Sequence, residues 1–375
     1  MIKKVGIITM HRVLNVGSVL QAYALSEKIE QLGVHAEIID YEYPNEFHKE
    51  GISNQQTLVE RISLLPRRLK YFVLYRSAAQ KRRFQSFYKS KMRLSRHYPD
   101  RNELHQNPPH YDLYLTGSDQ VWNPICMKGD GAFFFDFVKD AVKASYASSF
   151  STTEISPSIK NIYAKYLGAY SYIGVREVSA ISLVKDIANK DARLVCDPTL
   201  LLTKNDYVRL AKGSELKSQN SPYILVYALS YAYNPYPQIQ NIVNIVKKQL
   251  GYKVVYLFAN SVDHYHIGQS ITSAGPLEFL DLFLNAKFVV TSSFHGTAFA
   301  INFEVPFISV IPGSSKKDSR IMSLLETLDL SSQAIATNQV LPKELPVKID
   351  YDRVRLKLKK YRDDSESFLK QVLSL

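Results

Sequence analysis

The fold of this chain can be derived from one stretch, Phe288-Val289-Val290-Thr291-Ser292-Ser293-Phe294-His295-Gly296-Thr297-Ala298-Phe299-Ala300. The apolar run Phe288–Val290 is short and rich in β-branched residues, as is typical of a buried strand. Ser292 and Ser293 interrupt the run, and either hydroxyl can cap the start of a following helix. His295 is therefore predicted at a strand-to-helix corner, where parallel α/β sheets bind ligands and free N–H groups favour an anion.

A second polar corner lies upstream of the first. Tyr111–Leu115 predicts another short strand, which runs into Thr116-Gly117-Ser118-Asp119-Gln120-Val121-Trp122-Asn123-Pro124. This segment contains the only tryptophan of the chain and several hydrogen-bonding side chains. A turn does not require so many of them. The alternative is structural: Ser292 and Ser293 act only as caps, and His295 bonds a backbone carbonyl. The second corner favours the functional interpretation.

Strand and helix patterns alternate along the chain, which favours parallel sheets with crossover helices. The polar stretches Lys204-Asn205-Asp206 and Lys212–Ser221 are interpreted as a linker between two such series. We therefore predict an N-terminal Rossmann-like domain at residues 1–210 with a basic helical insertion at 55–100, a C-terminal Rossmann-like domain at 211–345, and a C-terminal helix at 346–375.

The composition limits the class of protein. With 375 residues, 46% of them apolar, the chain can bury a large core and is expected to form two domains. Cys126 and Cys196 are its only cysteines, and no Cys/His cluster occurs, so neither a disulfide framework nor a metal site is assigned. No apolar run approaches the ~18 residues that span a bilayer. We expect a soluble, cytoplasmic protein.

The positive charge of the chain is concentrated in one region. The net charge is +12, and residues 61–96 contain twelve Lys or Arg and no Asp or Glu. An apolar stripe at helical spacing accompanies these charges. Three interpretations remain: the solvated face of a helix, a nucleic-acid surface, or a patch resting on anionic lipid. Nothing else in the sequence indicates nucleic-acid recognition.

The sequence resembles the polysaccharide pyruvyl transferase family in six segments that occur in the family's order. These segments lie between about Val5 and Leu328 and comprise Asn15–Leu25, Gly117–Pro124, Tyr146–Phe150, Val175–Ser179, Asp197–Leu201 and Thr291–Thr297 with the residues from Pro276 that precede it. Two positions depart from the family pattern. Ser292 stands where many members carry an acid, and Ser293 stands where another branch carries an arginine. If that arginine binds the donor's charge, this chain must supply the cation elsewhere.

The resemblance implies an α/β fold with two Rossmann-like domains that face a cleft, the glycosyltransferase-B-type architecture, and a carboxy-terminal helix. It implies transfer of a pyruvyl group from phosphoenolpyruvate to two hydroxyls of one sugar in a surface or capsular polysaccharide precursor, forming a cyclic ketal. Phosphoenolpyruvate is the donor substrate, and no separate cofactor is assigned. The family's acceptors are often lipid-linked sugars at the inner membrane face. The resemblance therefore favours the interpretation that residues 61–96 contact anionic lipid.

This reaction needs an acid and a base, fixed cations and N–H groups for the donor, and exclusion of water. We expect His295 to do the acid–base work, because histidine titrates near neutral pH. Asp119 would activate or orient an acceptor hydroxyl, with a turn-capping aspartate as the alternative. Arg176 is the preferred cation for the donor, with a structural ion pair to Glu177 or another acid as the alternative.

The other candidate residues have supporting roles. The hydroxyls of Ser292, Ser293 and Thr297 are expected to donate hydrogen bonds to the donor's phosphate. Lys316 and Lys317 could supply the positive charge that an arginine supplies in another branch of the family. The acceptor is expected to contact Asn15, Gly17, Gln120 and Trp122, although a lone tryptophan is more often part of a core.

Two other functions remain open at this point. One is a sugar-nucleotide-dependent glycosyltransferase of the same architecture. The other is a non-catalytic sugar-binding protein, which the departures at Ser292 and Ser293 favour. The sequence does not distinguish them.

Overall fold

The structure is a computed structural model that describes residues 2–44, 67–216, 221–230, 232–258, 268–313 and 319–374. Its strands are β1 (Lys4–Ile8), β2 (His35–Tyr41), β3 (Leu94–Tyr98), β4 (Leu113–Thr116), β5 (Lys143–Ser148), β6 (Tyr172–Val175), β7 (Arg193–Leu194), β8 (Tyr223–Tyr227), β9 (Lys253–Leu257), β10 (Gln269–Ile271), β11 (Phe288–Thr291), β12 (Phe307–Ile311) and β13 (Ala334–Ala336).

The α-helices alternate with these strands. They are α1 (Val16–Gln31), α2 (Arg67–Lys91), α3 (Arg101–Gln106), α4 (Pro124–Met127), α5 (Pro157–Gly168), α6 (Val178–Ala188), α7 (Pro198–Leu201), α8 (Lys204–Ala211), α9 (Gln238–Leu250), α10 (Pro276–Asn285), α11 (Phe294–Phe303), α12 (Ser319–Thr327) and α13 (Tyr351–Leu373). Short 3₁₀ turns occur at Gly131–Phe134 and Ser331–Gln333.

The strands form two parallel sheets. The first has the order β3-β2-β1-β4-β5-β6-β7, and the second has the order β10-β9-β8-β11-β12-β13. In each sheet the strand order reverses once, between β1 and β4 and between β8 and β11. Such a reversal leaves a crevice at the carboxyl ends of the strands. The predicted pair of Rossmann-like domains facing a cleft is confirmed.

Local patterns predicted the central strands and the edge strand β7, but not the other three edge strands. Strands β3, β10 and β13 were not predicted, and each lies at the edge of its sheet. An edge strand lacks the continuous apolar run of a strand buried on both faces. The polar sequence of Leu94–Tyr98 is an example, since only Tyr98 in it is buried.

The predicted linker is wrong in its first part. Lys204-Asn205-Asp206 begins helix α8, because Thr203 and Asp206 form a capping box at its start. Tyr207 of this helix is fully buried and packs edge-on against Phe299 and Phe303. Helix α8 therefore packs on α11, next to the second sheet.

The carboxy-terminal helix α13 returns to the first sheet. The Phe368 ring packs against Tyr146 of β5 and Tyr172 of β6. The Ser365 hydroxyl accepts the backbone N–H of Cys196 at 2.9 Å. These contacts pack the C-terminal segment of the chain against the first sheet.

The basic region is not simply a solvated face. Residues 55–66 lie outside the described part, and helix α2 begins at Arg67. The Arg83 side chain contacts residues from the second half of the chain. It donates to the Ser273 carbonyl at 2.8 Å, and it forms ion pairs with Glu278 at 3.4 Å and with Glu215 at 3.3 Å. Phe84 and Phe87 of the same helix are buried. Part of the basic charge therefore holds the two halves of the molecule together.

Candidate active site

A cavity lies between the two sheets, at the carboxyl ends of β1, β4, β8 and β11. Its polar lining includes Asn15, Ser18, Asp119 and Gln120 from the first half of the chain, and Tyr233, Ser292, Ser293, His295 and Arg320 from the second half. The two polar corners predicted from sequence therefore meet across one cleft.

His295 lies in the first turn of α11, as predicted. Ser293 is the N-cap residue of this helix, and its hydroxyl accepts the N–H of Gly296 at 3.3 Å. The His295 side chain is only 9% exposed, and its Nε2 lies 3.7 Å from Oδ2 of Asp197. Nε2 has no hydrogen-bond partner among the described residues. Nε2 of His295 is thus close to a carboxylate and makes no bond to a backbone carbonyl of the described residues.

The start of helix α1 packs against the His295 ring. A Cβ atom built on Gly17 would lie 2.2 Å from Nδ1 of His295, so only glycine leaves room for the ring. Asn15 caps the same helix by accepting the N–H of Gly17 at 3.0 Å. The sequence predicted that Gly17 contacts the acceptor, whereas the structure gives it a close approach to the imidazole. Asn15 still lines the cavity.

Asp197 is the central carboxylate of the site. Its Oδ2 accepts from Arg176 at 2.9 Å and from the Ser118 hydroxyl at 3.1 Å, and its Oδ1 accepts from Thr199. Burial raises the pKa of Asp197, but His295 and Arg176 outweigh burial and hold this pKa well below its usual range. Asp197 therefore stays ionised and places a negative charge beside the imidazole. Asp197 lies in one of the segments that resemble the family, but no role was predicted for it from the sequence.

Arg176 is buried between two carboxylates rather than placed in the cavity lining. Its side chain is 1% exposed and bonds Asp197 at 2.9 Å and Asp119 at 3.3 Å. Its guanidinium lies 4.5 Å from the centre of the Phe294 ring. The structure therefore favours the ion-pair alternative over direct donor binding, with Asp119 and Asp197 as partners. Glu177 is not one of these partners; it accepts instead from the Ser149 hydroxyl and the N–H of Phe150.

Asp119 lines the cavity in a constrained conformation. Its backbone has φ 75°, which is uncommon for a residue other than glycine, and Ser149 donates its N–H to the Asp119 carbonyl. The carboxylate accepts from the Ser18 hydroxyl at 2.6 Å. Burial raises the pKa of Asp119, but Arg176, His295 and Ser18 outweigh burial and lower it. Because such a carboxylate is a weak base, Asp119 is better suited to orient an acceptor hydroxyl than to deprotonate it.

The predicted hydroxyl donors differ in position. Ser292 and Ser293 line the cavity, but the Ser292 hydroxyl bonds the backbone of Leu229 as donor and acceptor. Thr297 is fully buried below the corner, where it bonds the Ser293 carbonyl and the Ser309 hydroxyl. Thr297 therefore supports the corner, and its predicted contact with phosphate is corrected.

The tryptophan prediction is also corrected. Trp122 is fully buried and stacks on Phe134 with ring centres 5.8 Å apart, so its faces are covered by the core. It offers no platform for a sugar. Gln120, by contrast, lines the cavity. The predicted cations Lys316 and Lys317 lie outside the described residues.

Arg320 is a cation of the site that was not predicted from the sequence. It lies in the first turn of α12, is 5% exposed and lines the cavity. Its positive charge also contributes to the lowered pKa of Asp119. The position of Arg320 in the sequence could have predicted this placement. A basic residue at the start of the helix that follows β12 faces the same edge of the cleft as His295.

The site combines positive ends of helices with one protonatable ring. The starts of α1 and α11 both reach the cavity, and their N–H groups and dipoles favour an anion there. Among the described residues, no group of three or more His, Cys, Asp or Glu side chains could hold a metal ion. The arrangement can bind a small anion beside an imidazole.

Comparisons with known proteins give one family and several distant structures. A family model described as polysaccharide pyruvyl transferase matches residues 15–314. No curated protein matches the chain. The UDP-GlcNAc 2-epimerase of Methanocaldococcus jannaschii aligns over 96% of this chain and 92% of its own, with 11% identity and a TM-score of 0.47. The ADP-heptose LPS heptosyltransferase II of E. coli aligns over 97% and 99%, with 12% identity and a TM-score of 0.36. Likenesses this weak carry no argument about function.

Proposed function

This chain belongs to the polysaccharide pyruvyl transferase family, and we propose that it transfers a pyruvyl group from phosphoenolpyruvate to two hydroxyls of one sugar, forming a cyclic pyruvate ketal. The acceptor is a sugar in a precursor of a surface or capsular polysaccharide. The observation that carries this proposal is the cavity in which His295, Asp119 and Arg320 converge from both halves of the chain.

The proposed reaction moves two protons. One acceptor oxygen bonds to C2 of phosphoenolpyruvate while the methylene carbon C3 takes a proton and becomes a methyl group. The second acceptor oxygen then bonds to C2 as the C2–O bond to phosphate breaks. The two hydroxyl protons end on C3 and on the released phosphate, so no oxidant or cofactor is required.

His295 is suited to shuttle these protons. The His295 ring lines the cavity, where it can exchange a proton with a bound substrate, and Asp197 lies 3.7 Å from its Nε2. The negative charge of Asp197 stabilises the imidazolium that forms when the ring accepts a hydroxyl proton. Asp119 accepts a hydrogen bond from the acceptor and orients it.

The donor's negative charges face Arg320 and the two helix starts. We expect Arg320→Ala to raise the dissociation constant of phosphoenolpyruvate by about tenfold to 100-fold, because a hydrogen bond to a charged group contributes about 1.5–3 kcal/mol. Arg320→Lys should recover part of the affinity, since lysine keeps the charge but loses the forked geometry. Calorimetric titration of the folded variants measures this.

The matched control for Arg320 is Arg209→Ala. The Arg209 side chain is 68% exposed and pairs only with Asp206 of its own helix among the described contacts. This control should bind phosphoenolpyruvate like the parent. Parent-like affinity in Arg320→Ala as well would remove Arg320 from the donor site.

The proposal is tested most directly by ligand-induced stabilisation. A ligand of the native state raises its stability by mass action. Phosphoenolpyruvate should raise the melting temperature, whereas uridine and guanosine diphosphates should not. The opposite ranking would favour the alternative of a sugar-nucleotide-dependent glycosyltransferase. Stabilisation by phosphoenolpyruvate without phosphate release in the presence of acceptors would favour a non-catalytic sugar-binding protein.

A second part of the proposal concerns the cellular location at which the protein binds its acceptor. We propose that the acceptor is lipid-linked and that the exposed side of α2 rests on the inner membrane face. Lys81 and Lys89 are exposed, and no ion pair involves them within the described part of the chain. No helix among the described residues is long and apolar enough to cross a membrane. Peripheral contact through basic side chains is consistent with that finding.

Reversing both charges, Lys81→Glu with Lys89→Glu, should weaken binding to anionic vesicles by about tenfold or more at low salt, since each basic residue near the surface contributes ~1 kcal/mol. Arg83 is left unchanged because it bonds the other half of the molecule. The control is Lys343→Glu with Lys348→Glu, which changes the net charge equally at exposed positions outside α2. Equal vesicle binding by both double variants would reject membrane contact through α2.

A further inference from the structure

Helix α11 carries a second polar side chain on the face that bears His295. Asn302 follows His295 by nearly two helical turns, so both side chains lie on one face, about 10 Å apart along the helix axis. Asn302 is 4% exposed, although asparagine is mostly found at protein surfaces. A buried amide needs hydrogen-bond partners for its nitrogen and for its oxygen.

The partners of Asn302 belong to the segment that carries Asp197 and to the C-terminal helix. Nδ2 of Asn302 donates to the carbonyls of Thr199 at 2.8 Å and Leu202 at 2.9 Å. Oδ1 of Asn302 accepts from Nη2 of Arg362, on α13, at 2.7 Å. The amide has a defined orientation, because a flip would turn its nitrogen toward the guanidinium and its oxygen toward two carbonyls.

The bonded backbone belongs to the short helix α7, which Asp197 caps. The Asp197 carboxylate accepts the N–H of Thr199 at 3.0 Å and the Thr199 hydroxyl at 2.8 Å. Arg362 also donates to the Leu200 carbonyl in the same turn. Because Asn302 and Arg362 both bond the backbone of α7, the Asp197 carboxylate moves away from α11 only if these hydrogen bonds break.

These hydrogen bonds join the two halves of the molecule beside the candidate active site. Helix α7 follows β7 of the first sheet, whereas α11 follows β11 of the second sheet. The 3.7 Å between Nε2 of His295 and Oδ2 of Asp197 is longer than a hydrogen bond. The shorter contacts of Asn302 with α7 therefore fix this separation better than the two charged groups do themselves.

We propose that Asn302 is a positioning residue, which holds the imidazole of His295 in the second half beside the Asp197 carboxylate of the first half. The inference rests on the proposed function, because it takes His295 as the residue that carries protons. Asn302 is not part of the cavity lining that the structure describes, so it acts through α7 and α11. An apolar side chain at this position would leave two buried carbonyls without donors.

The matched control for Asn302→Ala is Gln238→Ala. Gln238 is also a buried amide, at 6% exposure, and its Nε2 donates to the carbonyls of Ala336 at 3.1 Å and Gln339 at 2.7 Å. Both substitutions remove an amide and two hydrogen bonds to carbonyls, so both should lower the melting temperature. If Asn302→Ala does not fold, Asn302→Ser takes its place, because the serine hydroxyl keeps one donor.

The first test measures pyruvyl transfer. Asn302→Ala should lower kcat by about tenfold or more, because a small misplacement of catalytic groups is costly. The dissociation constant of phosphoenolpyruvate should change little, since Arg320 and the helix starts remain. In the Asp197→Asn background the same substitution should lower kcat by less than about threefold, because the charge that it positions is already absent. Gln238→Ala should keep the kcat of the parent.

Two results of this test would overturn the inference. One is a folded Asn302→Ala variant with parent-like kcat. The other is a loss of kcat that is equally large in the parent and in the Asp197→Asn background, because Asn302 would then not act through Asp197.

The second test needs no turnover, so it separates this inference from the proposed function. Diethyl pyrocarbonate acylates accessible imidazoles, and the His295 side chain is 9% exposed. Mass spectrometry of the His295 peptide should show acylation about threefold faster or more in Asn302→Ala, because the two halves open more readily there, and a parent-like rate in Gln238→Ala. This result supports the positioning role even if phosphoenolpyruvate is not the donor. A parent-like rate in Asn302→Ala, or equal acceleration in both variants, would overturn it.

Discussion

Replacement of His295 by glutamine is expected to slow pyruvyl transfer by about 10²-fold to 10⁴-fold while the fold survives, because a positioned acid–base group contributes that much. Glutamine keeps hydrogen-bonding atoms next to Asp197 and Gly17 but cannot carry a proton between the acceptor hydroxyls and C3 of the donor. The affinity for phosphoenolpyruvate should stay within a few-fold of the parent, since Arg320 and the helix starts remain. Phosphate release in the presence of the acceptor measures the rate, and calorimetric titration measures the affinity.

The control for this experiment is His110→Gln at an exposed position remote from the cleft. Its transfer rate should equal that of the parent. A folded His295→Gln variant that transfers within threefold of the parent would remove His295 from the mechanism. A variant with parent-like kcat and weaker donor binding would instead make His295 a binding residue.

The sequence contains the information for each corner because the signals there are local. A short β-branched run followed by Ser293 predicts the end of β11 and the cap of α11, and both are present. The same reasoning predicted the strand before Asp119. Hydrophobic periodicity and capping act over a few neighbouring residues, so one sequence is enough to read them.

Contacts between distant segments could not be read in this way. Arg176 was predicted to lie near the site, and it does, but its counter-charges Asp119 and Asp197 come from the loops that follow β4 and β7. These two carboxylates neutralise it before any donor arrives. Trp122 likewise has the residue type of a sugar platform, and only the packing of Phe134 against its ring shows that it belongs to the core. The role of a charged or aromatic residue depends on partners that the local pattern does not contain.

The second prediction with a large expected effect concerns the buried ion pairs of Arg176 with Asp119 and Asp197. Asp197→Ala should lower the free energy of unfolding by about 3–5 kcal/mol, because it leaves the buried guanidinium of Arg176 short of one counter-charge. Asp197→Asn should cost less, since the amide oxygen still accepts hydrogen bonds. It should nevertheless slow transfer about 10²-fold, because a neutral amide does not stabilise the imidazolium of His295. Urea unfolding and phosphate release measure the two effects.

The pH dependence of stability separates the electrostatic role of Asp197 from simple packing. The native state holds the pKa of Asp197 well below the value of about 3.9 expected in the unfolded chain. As pH falls, the unfolded chain therefore takes up the proton first, and the contribution of the ionised carboxylate is lost progressively below about pH 4. Above about pH 5 Asp197 is ionised in both states, so its contribution to the stability difference between the parent and Asp197→Asn should be complete there and shrink on acidification below about pH 4.

Asp191→Asn is the control for this profile, because its side chain is 97% exposed and pairs only with Lys185 among the described contacts. Its stability should follow that of the parent at every pH, since an exposed ion pair contributes about 0–1 kcal/mol. A stability difference between the parent and Asp197→Asn that does not change between pH 2 and pH 7 would contradict the ionised cluster. In that case Asp197 would act through shape and hydrogen bonding alone, and the imidazolium of His295 would need another source of stabilisation.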